Sequence, residues 1–242
     1  MTEFIAVGKT DVGLKRSNNE DAFLVKPQLG FCLVADGMGG AAAGEIASQI
    51  FSNTALEIFS GRPASTMEET ILQVQRTFGL AHERIQAHVS NYPSHSGMGC
   101  TAELLAFSGT SFVIGHVGDS RTYRFAGGNL KQLTKDHSLV QEQIDQGLIT
   151  PEEARRHAKR NIILRAVGVE EEVALDIVSG KASLGDLFLL CSDGLTDMIT
   201  DNAIHEALAA VSAAENRVGN LIELAKEAGG QDNITVVLAE TV

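Results

Sequence analysis

The chain has 242 residues, a formal net charge of −12 and 44% hydrophobic residues. This apolar content can form a substantial core and weighs against intrinsic disorder. The negative charge weighs against binding nucleic acid or an anionic membrane, and no apolar run approaches the ~18 residues that a membrane span needs. No Pro- or Ser-rich linker divides the chain, so residues 1–242 are predicted to form one domain.

The compartment is predicted from the N-terminus and the cysteines. The first residues show no charged segment followed by an apolar one, so a secretory signal is not indicated. Cys32, Cys100 and Cys191 lie far apart in strand-like or buried-looking segments, which is typical of reduced thiols. We therefore expect a cytoplasmic protein without a disulfide framework.

The first predicted strand covers residues 4–9. An Asn-Asn-Glu-Asp run at 18–21 then places the carboxylates of Glu20 and Asp21 just before a second apolar segment. Arg16 lies four residues before Glu20. A guanidinium at this place could bind two oxygens of a phosphoryl group, although most surface arginines are simply solvated.

The most informative stretch is FCLVADGMGG, which begins at Phe31. Its apolar residues are typical of a buried strand, which is predicted to end at Asp36. Gly37, Gly39 and Gly40 lack a Cβ atom, so the backbone there can turn and approach a ligand closely. A carboxylate beside bare carbonyls suits a hard divalent cation, and an Asp-Gly hairpin turn is the alternative.

Two amphipathic helices are predicted next. Residues 44–59 show apolar residues at helical spacing, and Ser65 begins a capping box for a second helix. His82 and His88 lie off the apolar stripe of the second helix and are predicted to be surface residues. Two helices of this kind would cover one face of a sheet.

The middle of the chain alternates strands with turns. Strands are predicted at 101–107 and 111–117, and a Gly-Gly hairpin joins two more at 122–125 and 130–133. Asp119 lies at the break between these pairs, where a turn residue is the structural alternative.

A polar, helical segment at about 134–165 is predicted to form a small flap, with a capping box that starts at Thr150. The sheet then resumes at 172–178 and 186–193, and the second of these strands ends in Asp193 and a glycine. A strand at 234–240 closes the chain.

Two further helices are predicted between these last strands. One is capped by Thr200 and extends through Val211, and the other is capped by Ser212. Asp232 then lies just before the closing strand. Hairpin turns alone do not explain why acids recur at strand ends without matching Lys or Arg.

About ten strands, mostly joined by hairpin-like turns, predict largely antiparallel sheets. The helices form two pairs, and each pair needs a sheet face to cover. The predicted fold class is therefore α+β, a four-layer α-β-β-α sandwich of two antiparallel sheets flanked by helix pairs, with a small helical flap.

Six motifs in order resemble those of the metal-dependent Ser/Thr protein phosphatases, the type 2C family. They are RSNNED at 16–21, VADGMGG at 34–40, MGCTA at 98–102, GDSR at 118–121, SDG at 192–194 and GGQDNIT at 229–235. The resemblance extends over essentially the whole chain and is to the short stand-alone bacterial members. It implies the same α-β-β-α sandwich, with a binuclear Mn²⁺ or Mg²⁺ centre at one end.

The resemblance also implies roles for individual residues. Asp36 would bridge the two cations, and the carbonyl of Gly37 would bind one of them. Asp193 and Asp232 would hold the first ion.

The second ion would be held by Asp21 and Glu20, directly or through water. Asp119 would bind a third, weaker ion together with Asp193. Arg16 matches the phosphate-binding arginine of the family.

The implied reaction is hydrolysis of phosphoserine and phosphothreonine. A water or hydroxide that bridges the cations would attack phosphorus in line, and the cations and Arg16 would meet the charge on the other oxygens. Cys191 is not expected to be a nucleophile, because it lacks a nearby Gly/Arg phosphate loop. The expected partners are phosphorylated proteins, including a bacterial Ser/Thr kinase or its targets, with no nucleic acid and no membrane. The chain is expected to be a monomer.

The sequence departs from the family pattern at two candidate positions for a protonating histidine. Met38 stands at the one usual in eukaryotic members, and Ala41 at the one found in many bacterial members. The general acid could therefore be a metal-bound water, which we favour, or His137 at the base of the flap. An aryl phosphate would need none.

Three other functions compete with the phosphatase hypothesis. A non-catalytic phosphoprotein-binding module would usually have lost one of Asp36, Asp193 and Asp232. A hydrolase of small phosphate esters is less favoured, because the charged flap suits a protein substrate. A calcium-binding domain is the weakest alternative, because the acids are dispersed along the chain.

Overall fold

The computed structural model describes residues 4–39, 43–61, 64–210 and 212–242. Gly40, Ala41 and Val211, which entered the expectations above, lie outside these residues.

Two antiparallel sheets of five strands each form the centre of the molecule over the described ranges. Their strand orders are β1-β10-β9-β6-β7 and β2-β3-β4-β5-β8. The strands are β1 (Phe4–Asp11), β2 (Asp21–Lys26), β3 (Phe31–Met38), β4 (Gly99–Ser108), β5 (Ser111–Val117), β6 (Arg121–Ala126), β7 (Asn129–Gln132), β8 (Asp176–Lys181), β9 (Leu187–Cys191) and β10 (Ile234–Thr241).

Helices cover the outer face of each sheet. The α-helices are α1 (Gly44–Ser60), α2 (Met67–Asn91), α3 (Leu139–Asp145), α4 (Pro151–Arg155), α5 (Asp193–Thr196), α6 (Asp201–Ala209) and α7 (Ala214–Glu227). The pair α1 and α2 packs on the sheet that contains β3, and α6 and α7 pack on the sheet that contains β9. The predicted α+β class and its four-layer sandwich are confirmed.

Strand β3 shows how the sequence produces these layers. Phe31, Leu33 and Ala35 point to the core under α1 and α2, whereas Cys32 and Val34 point to the core between the sheets. Successive side chains of a strand alternate between faces, so a continuous apolar run is needed where both faces are buried.

Several strand boundaries differ from the predictions by one or two residues, and three differences change the interpretation. Strand β3 continues past Asp36 to Met38, because its pairing with β4 extends to the Met38–Gly99 pair. The hairpin alternative for the Asp-Gly pair at Asp36 is therefore wrong. Asp193 begins the short helix α5 after its N-cap Ser192 instead of ending a strand. The strand predicted at 172–178 lies later, as β8.

Two of the predicted helix caps are confirmed and two are wrong. Thr150 and Thr200 accept hydrogen bonds from the backbone of the first turns of α4 and α6. The N-cap of α2 is Thr66 instead of Ser65, because its side chain accepts the Glu69 N–H. Helix α7 begins after Ala213 without a side-chain cap, so Ser212 does not cap it.

The prediction that His82 is a surface residue is wrong. Its side chain lies between α2 and the segment after the flap, where Nδ1 accepts the Gly168 N–H at 3.0 Å, and the residue is 5% exposed. Because a histidine can satisfy a buried backbone donor, a position beside an apolar stripe did not require exposure. His88 is half-buried, stacks on His95 and packs against the tilted ring of Tyr92.

The segment predicted to be a flap contains α3 and α4. The start of this segment is attached to the body of the fold by the His137 N–H, which donates to the Gly118 carbonyl, and its end by a backbone bridge between Val167 and Cys100. A second bridge, between Ser138 and Ile163, joins the two ends of the segment to each other. Among the described residues, no helix is both long enough and apolar enough to cross a bilayer.

Candidate active site

Five of the predicted acids come together at one end of the sandwich. Asp21 and Asp36 are opposite each other in the register of β2 and β3. Asp119 lies between β5 and β6, Asp193 begins α5, and Asp232 lies just before β10. The sheets bring these five segments, which are distant in sequence, to a common edge.

The pKa of Asp36 shows how close these acids are. Burial raises it well above its usual range, and the negative charges of Asp21, Asp193, Asp119 and Asp232 raise it further. Every other member of the group therefore acts on Asp36. A site with this much uncompensated negative charge favours the binding of cations.

The neighbours of Asp36 are perturbed in the same direction. Burial, followed by the charges of Asp119 and Asp197, raises the pKa of Asp193 well above its usual range. Burial also raises the pKa of Asp21 to about 6, although hydroxyl groups that donate to it act in the opposite sense. For Asp119, burial and the charge of nearby carboxylates raise the pKa to about 7.

Three carboxylate oxygens in this group are buried without a hydrogen-bond partner, namely Oδ1 of Asp21, Asp119 and Asp193. Because buried polar atoms are almost always paired, three such oxygens in one group fit the binding of a cation. An all-oxygen donor set suits Mn²⁺ or Mg²⁺. Across the described ranges, no three His, Cys, Asp or Glu side chains already form a metal-binding group, so the carboxylates would have to close around an ion.

Two hydroxyl groups orient Asp21 and were not assigned a role from the sequence. Ser192 Oγ and Thr235 Oγ1 donate to Asp21 Oδ2 at 2.8 and 2.6 Å. Both residues are fully buried, and the Thr235 N–H donates to Ser192 Oγ at 3.0 Å. Their positions beside Asp193 and Asp232 in the SDG and GGQDNIT motifs were the available signal.

The side chain of Asn233 joins the start of β10 to the loop after β1. No structural role was assigned to it from the sequence. Its amide Nδ2 donates to the carbonyls of Val12 and Asn18 at 3.1 and 2.9 Å. Its Oδ1 accepts the Glu20 N–H at 2.8 Å. The side chain is therefore saturated with backbone partners, which fixes the loop that contains Arg16.

Gly37 lies where a side chain would not fit. A Cβ atom there would lie 2.1 Å from the carbonyl oxygen of Gly44 and 2.6 Å from that of Glu20. The Glu20 carbonyl also accepts the Gly37 N–H at 3.2 Å and Ser48 Oγ at 2.6 Å. The side chain of Glu20 accepts a hydrogen bond from Asn18 at 3.2 Å.

Arg16 is paired with one of the predicted metal ligands. Its Nη2 donates to Asp232 Oδ2 at 2.7 Å, while Asp232 Oδ1 accepts the Asn233 N–H. This bond, together with the charges of Asp232, Glu20 and Asp36, raises the pKa of Arg16 above its usual value. Because the Arg16 side chain is 49% exposed, it can turn to a phosphoryl group that enters from solvent.

A cavity of about 530 Å³ lies beside the acids, under the flap. Its lining includes Asp119 and Asp193 from the group of acids and Val140 and Ile144 from α3. This space can hold part of a peptide next to the predicted ion site.

His137 is poorly suited to donate a proton. Its Nδ1 accepts the Gly118 N–H at 3.1 Å, and Nε2 lies 3.2 Å from both Asp176 Oδ2 and Arg165 Nη1. Burial and the nearby charge of His116 lower the pKa of His137 to about 4. The ring is therefore neutral near pH 7.

The sequence is similar to known phosphatases. The protein phosphatase 2C family profile matches residues 14–228. The serine/threonine protein phosphatase PstP of Mycobacterium tuberculosis is 40% identical over 234 residues, which cover 97% of this chain and 44% of that protein. The serine/threonine phosphatase stp of Listeria monocytogenes is 37% identical over 236 residues, which cover 96% of this chain and 94% of that protein.

Solved structures agree with these matches. The catalytic domain of PstP in complex with two manganese ions has a TM-score of 0.89 and 37% identity, covering 99% of this chain and 98% of that one. The serine/threonine phosphatase of S. agalactiae has a TM-score of 0.91 and 33% identity, covering 99% of this chain and all of that one. The chain spans less than half the length of PstP, at 44%.

Proposed function

The chain belongs to the protein phosphatase 2C family, and on that premise we propose that it is a metal-dependent phosphatase that acts on phosphoserine and phosphothreonine in proteins. One observation carries the proposal. Five carboxylates meet at one edge of the sandwich, and three of them leave a buried oxygen without a partner. Such an arrangement costs free energy unless cations bind there.

The residues fit a centre of two ions. In this proposal Asp36 and the Gly37 carbonyl would help to hold the ions. Asp193 and Asp232 would hold one of them. When bound, the ions supply Lewis acidity and neutralise charge on the phosphoryl group, which lets water act as the nucleophile.

Asp21 and Glu20 would hold the second ion, directly or through water. The two hydroxyl groups that donate to Asp21 fix its Oδ2 and leave Oδ1 free to bind. We further propose that Asp119 contributes to a third, weaker site, which its unpaired Oδ1 supports.

Arg16 binds the phosphoryl group in this proposal. A planar guanidinium can donate two parallel hydrogen bonds to phosphate oxygens, which fixes the phosphorus in position. To do so, Arg16 would release Asp232, which would then be free to face an ion. The Arg16–Asp232 ion pair would therefore be exchanged for two separate contacts when ions and substrate bind.

No histidine of this site is assigned as a general acid. His137 uses Nδ1 as an acceptor and is neutral near pH 7, so it has no proton to give at that atom. Met38 cannot donate one. We infer that a water molecule, and no side chain of this site, protonates the leaving group, in line with the alternative favoured from the sequence.

The remaining parts of the proposal concern partners and location. We propose Mn²⁺ or Mg²⁺ as the ion and phosphorylated proteins, including a bacterial Ser/Thr kinase or its targets, as substrates. We also propose a monomer in the cytoplasm. Support for that compartment comes from the three cysteines, which are all free and buried.

The test is hydrolysis of p-nitrophenyl phosphate and of a phosphothreonine peptide in Mn²⁺. We expect both to be hydrolysed and EDTA to stop both reactions, with activity restored by excess Mn²⁺. Full activity in EDTA would overturn the two-ion proposal. Hydrolysis of the small ester alone would favour a phosphatase of small molecules.

A further inference from the structure

Glu103 and His116 form a charged pair deep inside the sandwich that the proposed mechanism does not use. They are opposite each other in the register of β4 and β5, and both are fully buried. Their neighbours on the same face of these strands, Leu105 and Ile114, belong to the core between the two sheets. A glutamate at this position needs partners, because an unpaired buried charge is strongly destabilising.

The partners of this pair come from both sheets and from the start of the flap. Glu103 Oε1 contacts His116 Nδ1, and Glu103 Oε2 accepts the hydroxyl of Thr122 on β6. His116 Nε2 lies 2.8 Å from the carbonyl oxygen of Lys135. The pair therefore links β4, β5 and β6 to the first residues after β7.

These contacts fix the hydrogen positions on the ring. A carbonyl can only accept, so His116 Nε2 must carry a hydrogen, and a further proton lies between Nδ1 and Glu103. Burial opposes charge on His116, but the Glu103 carboxylate and the Lys135 carbonyl outweigh it and raise the pKa of His116 to about 8. Every polar atom of the pair thus has a partner.

A second ring connects this pair to Asp119. His137 packs on His116 with ring centroids 4.4 Å apart. Two hydrogen bonds join His137 to Gly118. The ring Nδ1 of His137 accepts the Gly118 N–H, and the backbone N–H of His137 donates to the Gly118 carbonyl at 2.7 Å. On the other side of Asp119, the Ser120 hydroxyl is 2.7 Å from the Thr101 hydroxyl.

We propose that Glu103 and His116 are positioning residues that hold the turn around Asp119 and the base of the flap in place. They act through the Lys135 carbonyl and the His137 ring, and neither of them touches an ion or substrate. The effect on ion binding rests on the proposed function, in which Asp119 contributes to the weakest ion site. The effect on the turn itself does not.

The test compares three variants in the full chain. Glu103→Leu removes the partner of His116 Nδ1 and of the Thr122 hydroxyl. Glu103→Gln is the conservative rescue, because its amide can donate to Nδ1 while its carbonyl accepts from Thr122. Asp186→Leu is the matched control, since it removes a similarly buried carboxylate at the opposite end of the fold.

Two measurements separate positioning from general destabilisation. Calorimetric titration with Mn²⁺ should show the weakest binding step weakened about tenfold in Glu103→Leu, the size typical for losing an outer-shell partner. Backbone amide exchange at residues 118–120 and 135–137 should accelerate in the same variant. Glu103→Gln should match the wild type in both measurements. Asp186→Leu should match the wild type in Mn²⁺ binding, and its exchange at these residues should be no faster than its loss of global stability accounts for.

If Glu103→Leu does not fold, Thr122→Val gives a milder perturbation of the same pair. We expect it to weaken Mn²⁺ binding and accelerate amide exchange less than Glu103→Leu would. Unchanged Mn²⁺ binding and unchanged amide exchange at 118–120 in these variants would overturn the proposal. An equal shift in Asp186→Leu would overturn it too, because the effect would then reflect stability alone. A wild type that binds no Mn²⁺ would overturn the proposed function instead, and amide exchange would still decide the positioning role.

Discussion

Strand β9 has an aspartate near each of its ends, and the surroundings of the two differ sharply. Asp186, just before the strand, pairs with Arg124 and accepts the Ser183 N–H at 2.7 Å. Asp193, just after the strand, has a buried Oδ1 with no partner and lies among other acids. Asp186 is thus neutralised by an arginine, whereas Asp193 has a carboxylate oxygen without a partner.

The two aspartates that flank β9 therefore differ in what they contribute: Asp186 contributes to stability, and Asp193 is proposed to contribute to function. A buried carboxylate with a cation and a backbone donor holds the fold together, and removing either partner destabilises it. A group of neighbouring carboxylates in which three buried oxygens have no partner opposes folding, and cation binding offsets this cost. We therefore expect substitutions at the two ends to have opposite consequences.

The largest expected effect is that of Asp36→Asn. If Asp36 helps to hold the ions as proposed, loss of its carboxylate should lower kcat/KM by about a thousandfold, or about 4 kcal/mol, the upper end for removing one transition-state-stabilising group. Without metal, the variant should be at least as stable as the wild type, because one of several repelling charges is gone. Steady-state kinetics and thermal unfolding check both parts. A variant that is inactive because it is unfolded would contradict the expectation that Asp36 contributes to function and not to stability.

The next effect is stabilisation by Mn²⁺. At a free concentration of about a hundred times Kd, binding should stabilise the wild type by about 2.7 kcal/mol, which raises Tm by about 5–10 °C for a chain of this size. Asp193→Asn should lose most of this increase. Calorimetric scans with EDTA or Mn²⁺ measure it, and equal Tm increases in both proteins would contradict the assignment of Asp193.

Asp186→Leu should have the opposite profile. Leaving Arg124 without its carboxylate should cost about 2 kcal/mol, less than for a fully buried pair because the Arg124 side chain is 27% exposed and can be rehydrated. The Mn²⁺ dependence and kcat should not change. Urea unfolding and kinetics test the two statements, and a loss of kcat in the folded variant would show that the two ends are coupled.

A smaller effect is expected for Arg16→Ala. If the guanidinium binds phosphate, KM should rise about tenfold, or about 1.4 kcal/mol, while kcat changes less. Arg16→Lys should recover only part of this, because an ammonium cannot make the paired contact. An unchanged KM for Arg16→Ala would mean that Arg16 serves only to hold Asp232.

The smallest expected effect is a pH dependence at His137. Its pKa of about 4 in the folded protein lies below the unfolded value of about 6.5, so protonation favours unfolding. Its contribution is fully present above pH 6.5 and is lost as the pH falls towards 4, by about 1 kcal/mol between pH 7 and 5.5. Urea unfolding of the wild type and His137→Gln should show that the wild type loses this much relative to the variant.

The layers of the fold could be predicted because the local signals agreed with the global arrangement. The run Phe31–Ala35 required burial on both faces, and the pattern of α2 required one covered face. The boundaries were less accurate, since they depend on partners far along the chain. Strand β3 extends past Asp36 because Gly99 is available to pair with Met38.

For the candidate site, the motifs pointed to the acids, whose roles as ligands stay a prediction. The supporting contacts could not be read from the sequence, because each depends on register or on packing between distant segments. Asn233 bonds to loop carbonyls far from it in sequence, and Glu103 meets His116 only because of the β4–β5 register. His82 was predicted to lie on the surface because the apolar pattern of α2 carries no information about Gly168, the distant residue whose N–H it accepts.

The pairing of β1 with β10 has a consequence for how the protein is made. Within the described residues, β1 is an edge strand whose sheet neighbour is β10, with Phe4 opposite Thr241. During synthesis β1 therefore leaves the ribosome long before its neighbour exists, and it must wait without its hydrogen-bonding partner. Asp232 is translated just before β10. A nascent chain therefore cannot bring all five acids together before the last strand of the β1–β10 sheet is being made. Catalytic competence would then be withheld until translation has passed this strand.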